Sequence, residues 1–306
     1  MIVLHGLLGD TPLASVWRIL RYSGRPTFFL DQQALGRSRI DLSVSSPAEG
    51  ELQVGGHAVD LRSVTAAFLR PYDARQLPEV ERAGPGSPLW SHAIRFEDAV
   101  LSWAEITTAS VINRPTAMAS NNSKPYQSRM IEAAGFETPG TLLTTDPDAV
   151  GRFVEAHDAV VYKSISGVRS IVSRLREKDR ERLGNVRWCP TQFQEYVPGD
   201  DYRVHVVGDE TFASRIESSA DDYRYSSRRA DSVVKIAAAT LPHGVLERCR
   251  RLTRDGGLLV SGIDLRLTPE GKWYCFEVNT SPAFTYYQEA TGQPIDQAVA
   301  NLLIAA

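Results

Sequence analysis

Residues 261–284 read SGIDLRLTPEGKWYCFEVNTSPAF, and the reading of this stretch decides the fold. Residues 262–267 make a short apolar strand. Thr268, Pro269, Glu270 and Gly271 carry turn chemistry, and residues 272–279 make a second strand rich in aromatic and β-branched side chains. The whole is a β-hairpin. Positions i and i+2 of a strand share a face, so Glu277 and Asn279 project together, and Asp264 on the first strand can lie opposite them. Two carboxylates and an amide oxygen then converge on one point, the hard-oxygen set that Mg²⁺ takes when it also holds nucleotide phosphates. The alternative is a half-buried strand whose polar face meets solvent. Against it, Phe276 and Val278 supply the apolar face, and the polar face carries no lysine or threonine. By strict alternation Cys275 falls on the face of Glu277 and could look into the site; its other role is that of a small buried hydrophobe.

At 306 residues the chain exceeds one small core, and two or three layered lobes are expected. Its 42% hydrophobic and 23% charged residues are ordinary for a soluble globular protein. A net charge of −3 offers no basic field to draw nucleic acid. The arginine-rich stretches 174–187 and 248–254 are interleaved with acidic or apolar residues and read as solvated helix faces. Cys189, Cys249 and Cys275 are widely spaced without a CxxC, so neither a disulfide framework nor a zinc set is expected, and the expected compartment is the reducing cytoplasm. The opening MIVLHGLLGDTP lacks the length and basic start of a signal peptide. No apolar run nears the roughly 20 residues that span a bilayer, so no membrane partner is expected. A homodimer stays open.

Ahead of the hairpin, the periods at 1–4, 12–22 and 27–30 predict strand, helix and strand in a βαβ lobe with a parallel sheet. Residues 40–59 alternate around Gly55-Gly56 and predict a hairpin. Residues 66–70 form a strand ending in Arg70, which either faces a cleft and binds an anion or is a surface arginine. Residues 76–88 read as a loop, 89–106 as a long amphipathic helix, and 110–113 as a strand closing the lobe. Helices are predicted at 126–134, stopped by Gly135, and at 147–156, begun by Asp146. Strands follow at 160–164 and 170–174, then a meander at 191–197, 200–208 and 210–218. A polar stretch (221–231), a strand (233–238) and helices at 242–256 and 295–305 complete the chain.

Three features precede the hairpin. Val161-Tyr162-Lys163 followed by SISGVRS sets a strand lysine before a small-residue loop, which suits phosphates; with one glycine it is not a Walker A sequence. Gln194-Glu195-Tyr196-Val197 ends a strand where backbone and carboxylate can meet the edge and ribose of a nucleotide. Asp200-Asp201-Tyr202-Arg203 is a charged start to the next strand. Each alone is weak; the order Lys124, Lys163, Glu195, Asp201, Arg203, Arg224, Asp264, Glu277, Asn279 is informative. That order resembles the ATP-grasp superfamily and, within it, the RimK-like carboxylate–amine ligases, over residues 113–306. The segments that carry it are INRPTAMASNNSKPYQSRMIEAAGFETPGT (112–141), FQEYVPGDDYRVHVVGDE (193–210) and IDLRLTPEGKWYCFEVNTSPAF (263–284). The tail TYYQEATGQPIDQAVANLL (285–303) is similar to the ATP-grasp enzymes that mature microviridin-type ribosomal peptides.

The resemblance implies a mixed α/β (α+β) ATP-grasp fold. A βαβ pre-ATP-grasp lobe (1–112) would precede a central lobe (113–190) and a C-terminal lobe (191–306), the last two enclosing ATP between antiparallel sheets. It implies Lys124 and Lys163 on phosphates, Gln194, Glu195, Tyr196 and Val197 around adenine, and Asp201 at the ribose. Arg203 and Arg224 would face the γ-phosphate and acyl phosphate as catalytic residues. Asp264, Glu277 and Asn279 would carry two Mg²⁺, with Mn²⁺ as an alternative. The chain departs from the family at Thr280, where proline is usual, and at Tyr223-Arg224-Tyr225-Ser226, where RimK has RSN. The first lobe matches poorly beyond Arg70-Pro71. The implied activity is ATP-dependent ligation through an acyl phosphate, releasing ADP and phosphate. The substrate would be a precursor peptide whose Asp or Glu side chains join Lys, Ser or Thr. A small amino-acid or dipeptide ligase and a non-catalytic ATP-binding regulatory or scaffold protein are the alternatives. Such chemistry needs no side-chain nucleophile, since positioning and electrostatics carry it. The six histidines are scattered without an i, i+4 pair, which argues against a zinc hydrolase. His205 shares a strand face with Arg203.

Overall fold

The N-terminal periodicity folds as predicted in this computed structural model, which describes residues 1–44, 48–164, 172–217 and 234–306. Ile2–Gly6 lies between Thr27–Asp31 and Ala66–Arg70 in a parallel sheet that Ser110–Ile112 extends. Both faces of the sheet are covered, so its strands carry continuous apolar runs, such as Ile2, Val3 and Leu4, rather than alternating. Val3, Ala67 and Leu69 pack with Phe96 and Trp103 of the helix Pro88–Ile106. Ile2, Leu4 and Phe68 pack with Leu13 and Val16 of the helix Thr11–Leu20 and with Val299 and Leu303 of the C-terminal helix Ile295–Ala305. The end of the chain thus returns to its beginning. The predicted hairpin at 40–59 is a three-stranded sheet, Ser38–Ser43, Glu49–Val54 and His57–Asp60; Gly55 and Gly56, with φ of 56° and 88°, make its tight turn. The stretch expected to be a loop at 76–88 contains the short helix Pro78–Ala83.

The central sheet is antiparallel, in the order Ser173–Arg174, Val160–Ser164, Thr191–Glu195, Thr141–Thr144. Its outer face packs Val160 and Phe193 on Val150 of the helix Pro147–Glu155 and on Val186 of the 3₁₀ stretch Glu177–Trp188. This corrects the predicted meander: Thr191–Glu195 pairs within the central sheet, and the chain crosses to the next sheet over residues 196–199. Gly199 permits the crossing. Its φ is +144°, and a Cβ there would stand 2.1 Å from the Leu267 carbonyl oxygen. The loop 165–169 and the polar stretch 221–231 lie outside the described residues.

The C-terminal sheet has five antiparallel strands in the order Lys235–Ala238, Glu210–Glu217, Asp200–Val207, Val260–Leu267, Trp273–Asn279. One face packs Val204, Val206, Ile263, Leu265, Cys275 and Val278 against Ile131 of the helix Lys124–Ala133 and against Cys249 and Leu252 of the helix His243–Asp255. The deciding hairpin forms, with an irregularity that simple alternation misses. Asp264 pairs with Glu277 but Leu265 pairs with Cys275, so Phe276 is the extra residue of a β-bulge. The bulge reverses parity: Cys275 is a core residue, 1% exposed, and does not look into the site. Phe276, expected on the apolar face, lines the opposite, cleft side. The helix Thr285–Thr291 after the hairpin was not foreseen.

Two buried amides hold this hairpin in place. Trp273–Asn279 is an edge strand, and its outward backbone groups need partners. Gln127 Nε2 donates to the Val278 carbonyl at 2.7 Å, and Val278 N–H donates back to Gln127 Oε1 at 3.1 Å. Cys275 N–H donates to the Glu137 carbonyl, and Glu137 N–H to that of Trp273. Asn113 Nδ2 donates to the Val260 and Thr280 carbonyls at 2.7 and 2.6 Å, and its Oδ1 accepts from Leu259 and Val260 N–H. Among the described residues no helix is long and apolar enough to cross a membrane.

Asn113→Ala removes these four bonds and is expected to lower the unfolding free energy by about 3 kcal/mol in urea titration. A loss below about 1 kcal/mol would mean that water replaces the amide without penalty. Thiol reactivity tests the core. Burial pushes Cys249 up to about 12 and Cys275 well above the usual thiol range, whereas Cys189 is exposed. Native protein at about pH 8 should therefore show one fast-reacting thiol, from Cys189, and three once unfolded. Fast native reaction of Cys275, located by peptide mapping, would contradict the bulge.

Candidate active site

The open face of the C-terminal sheet carries the predicted metal ligands in a row. Arg203, Asp264 and Glu277 are successive cross-strand partners on three neighbouring strands, and Asn279 faces Gly262 at the next same-face position. Like charges directly opposite each other on paired strands repel. Here each carboxylate has a cation of its own. Arg203 Nη1 donates to Asp264 Oδ1 at 2.7 Å. Lys124 Nζ donates to Glu277 Oε1 at 2.5 Å, and to Asn121 Oδ1 at 3.3 Å. Asn279 Nδ2 donates to Asp264 Oδ2 at 3.3 Å.

Arg203 is buried, and a missing side chain makes this feasible. A Cβ on Gly262 would stand 2.1 Å from Arg203 Nη2 and 2.5 Å from its Cζ, so only glycine lets the guanidinium lie against the sheet. The Tyr287 ring lies 5.8 Å from the same Cζ. His205, on the same strand face as expected, sets its ring 4.9 Å from Tyr287. Burial lowers its imidazole well below the usual range, with Arg203 adding to the effect, so His205 is neutral. Its Nε2 lies 3.5 Å from Arg203 Nε.

Across from this row stands the inner face of the central sheet. Between the two is an open cleft lined by Lys163, Gln194, Glu195, Tyr196, Val197, Asp201, Asp264 and Glu277 together with Arg266 and Phe276. The Tyr196 ring lies between two guanidiniums, 3.7 Å from Arg174 Cζ and 5.9 Å from Arg266 Cζ. Asp201 accepts Arg266 Nε at 2.7 Å and Nη2 at 2.9 Å, while Arg266 Nη1 donates to the Val197 carbonyl. Burial raises the Asp201 carboxyl above its ordinary range, with Arg266 pulling the other way. Glu195 Oε2 accepts the Gly140 N–H at 3.0 Å.

Eight of the predicted residues therefore meet in one cleft. Lys124, Arg203 and Asn279 join it at the carboxylate end through Glu277 and Asp264. Arg224 lies outside the described residues. Arg70 does not present itself to an anion. It holds Asp10 through two hydrogen bonds, of 2.7 and 3.0 Å, and donates to Ser281 Oγ and the Pro282 carbonyl, tying the first lobe to the loop that follows Asn279. Arg266, two residues beyond Asp264 on the same face, was missed although strand parity points to it. Gly262 had no signal beyond its smallness.

Among the described residues no group of three or more His, Cys, Asp or Glu forms a self-sufficient metal cage. Two carboxylates and one amide, all hard oxygen donors, fit Mg²⁺ that draws its remaining ligands from phosphate and water.

Residues 121–303 match the RimK-like ATP-grasp domain family. Glutathione synthetase of Nostoc sp. is 24% identical over 189 residues, covering 58% of this chain and 57% of its own. Beta-citrylglutamate synthase B of Danio rerio is 25% identical over 221 residues, covering 67% and 53%. The chain thus spans little more than half the length of these curated relatives. The ATP-grasp ligase PsnB, complexed with a phosphomimetic variant of minimal precursor, Mg and ADP, superposes with a TM-score of 0.83 at 27% identity, over 99% of this chain and 97% of that one. The macrocyclase MdnC of Microcystis aeruginosa, bound with precursor peptide MdnA, superposes at 0.81 and 20% identity over 100% and 99%, a likeness of fold.

Gly262→Ala should displace the Arg203 guanidinium; should Arg203 be a charge donor for the ligase activity proposed below, kcat should fall by about 100-fold. Binding of ADP, measured by calorimetry, should change little. Unaltered kcat would show that Arg203 tolerates a different seat.

Proposed function

The chain belongs to the RimK-like ATP-grasp domain family, and on that footing we propose that it is an ATP-dependent carboxylate–amine ligase that modifies a precursor peptide. The observation that carries the reading is the charge row Arg203, Asp264, Glu277, Lys124 facing a cleft whose far wall holds Lys163 and the crossing segment Glu195–Val197. Carboxylates held by internal cations form a site that can exchange partners. When a nucleotide brings Mg²⁺, Asp264, Glu277 and Asn279 would hold it, as two ions on this reading, and it would neutralise phosphate charge. Lys124 and Arg203, which hold those carboxylates here, would then be available to the anionic phosphate oxygens. Lys163 stands on the cleft wall for the same purpose, and Glu195, Tyr196 and Val197 border the base.

In the first step a substrate carboxylate oxygen bonds to the γ-phosphorus of ATP, the bond to the bridging oxygen breaks, and ADP leaves. In the second the amine nitrogen attacks the acyl carbon, phosphate leaves, and the nitrogen gives up a proton to water. A hydroxyl acceptor would give an ester by the same path. Arg203, buried and permanently protonated, serves charge stabilisation there rather than proton transfer. Whole-length similarity to PsnB supports a peptide substrate. Similarity to glutathione synthetase supports the second reading, a small amino-acid or dipeptide ligase, over a shorter span. We further propose three lobes, 1–112, 113–195 and 196–306; the pairing of Thr191–Glu195 supports setting the second boundary after Glu195 rather than at 190. Unpaired cysteines fit a cytoplasmic setting.

The test is incubation with ATP, Mg²⁺ and an acidic precursor peptide, reading ADP release and loss of one water per new bond by mass spectrometry. Peptide-dependent ADP release is expected. Release with free amino acids alone would favour the second reading, and ADP binding without turnover on any carboxylate–amine pair would favour a scaffold. Glu277→Gln should lower turnover by roughly 100-fold or more while the protein stays folded. Full activity in that variant would remove the metal assignment.

A further inference from the structure

His205 keeps a polar atom that its surroundings do not satisfy. It lies on Asp200–Val207, two residues beyond Arg203 and on the same face, and is fully buried. Its cross-strand neighbours are Gly262 and Phe212, neither of which brings a polar side chain, and the Tyr287 ring meets it at 64°. Among the described residues its ring has one polar partner, Arg203, whose Nε lies 3.5 Å from Nε2. Nδ1 is buried without a hydrogen-bond partner. The guanidinium Nε–H can only donate, so Nε2 is the accepting nitrogen and the neutral ring carries its proton on Nδ1. That proton is the unsatisfied donor. A buried donor left unpaired destabilises the fold, and an apolar side chain between Gly262 and Phe212 would avoid the penalty. The imidazole is therefore accounted for by its other nitrogen, the one that meets Arg203.

Resting on the ATP-binding reading above, we propose that His205 is a positioning residue, whose Nε2 takes up the Nε–H of Arg203 and so orients the guanidinium for the terminal phosphoryl group of ATP. A planar fork held at two of its nitrogens, Nε by His205 and Nη1 by Asp264, keeps one orientation. When Asp264 turns to Mg²⁺, the bond to His205 is the anchor that stays. A carboxylate in place of the imidazole would hold Nε as well, but it would cancel the charge that a phosphate needs. A neutral acceptor orients the cation without neutralising it. The missing side chain of Gly262 makes room for the guanidinium, and His205 decides how it is turned.

His205→Leu removes the acceptor, and His205→Gln can set an oxygen where Nε2 lies. Dissociation constants for Mg·ADP and for the Mg²⁺ complex of AMPPNP, a triphosphate that resists hydrolysis, are measured by calorimetry on wild type and both variants. H205L should weaken AMPPNP about tenfold and leave ADP within about twofold, as the loss of one oriented hydrogen bond at the terminal phosphoryl predicts. Unchanged ADP binding also shows that the variant is folded. H205Q should keep the wild-type ratio of the two constants, a rescue that a role in packing alone would not give. Equal weakening of both nucleotides in H205L, or like behaviour of the two variants, overturns the assignment. So does a nitrogen NMR spectrum of wild type that places the ring proton on Nε2, a measurement that needs no variant to fold. Wild type that binds neither nucleotide overturns the ATP-binding reading and the proposal with it. Failure of the proposal alone leaves ADP binding intact, which separates the two.

Discussion

Two carboxylates facing each other across a strand pair set the terms for the rest of the molecule. At a cross-strand separation of about 5 Å, and with an effective dielectric constant of about 20, Asp264 and Glu277 would repel by about 3 kcal/mol. The chain answers with one cation for each: Arg203 from the adjoining strand, and Lys124 from the start of a helix packed on the hairpin. The arginine in turn requires Gly262 beneath it and an uncharged His205 beside it. Each carboxylate is thereby compensated within the protein itself.

Position comes from outside the hairpin. Asn113, at the end of the first lobe, bonds the start of one ligand strand and the end of the other. Gln127 bonds the middle of the outer strand, and Arg70 bonds the loop beyond it. Three polar side chains from three separate segments therefore fix the registration of Asp264 against Glu277 and Asn279. Each satisfies backbone groups that a strand at the margin of a sheet would otherwise leave bare.

Alternation made the hairpin, its carboxylates and the parallel N-terminal sheet legible, because those patterns follow the strand period directly. It failed at Phe276, where one inserted residue reverses parity; composition carries no mark of a bulge. It failed again at Thr191–Glu195, whose pairing is decided by where Phe193 finds apolar company, a tertiary matter. Arg70 looked equally like an anion site and a surface residue, since its partner Asp10 is 60 residues away. Asn113 and Gln127 are polar residues at an element end and on a helix, and only the folded chain shows which backbone they serve. The residues around the nucleotide cleft were legible through their order along the chain, whereas the polar residues that hold them depend on contacts between distant segments.

The stoppered margin of the five-stranded sheet also restricts how a polypeptide can approach. Val278 already spends its outward amide and carbonyl on Gln127, and Glu137 occupies the neighbouring positions. An incoming chain cannot add itself there as a sixth strand, nor can a second copy use that border as a template for stacking. On the proposed reading, a peptide substrate would reach the carboxylates over the open face, read by side chains rather than by main-chain pairing. Recognition of that kind depends on the visitor's side chains, because no shared backbone ladder supplies sequence-independent affinity.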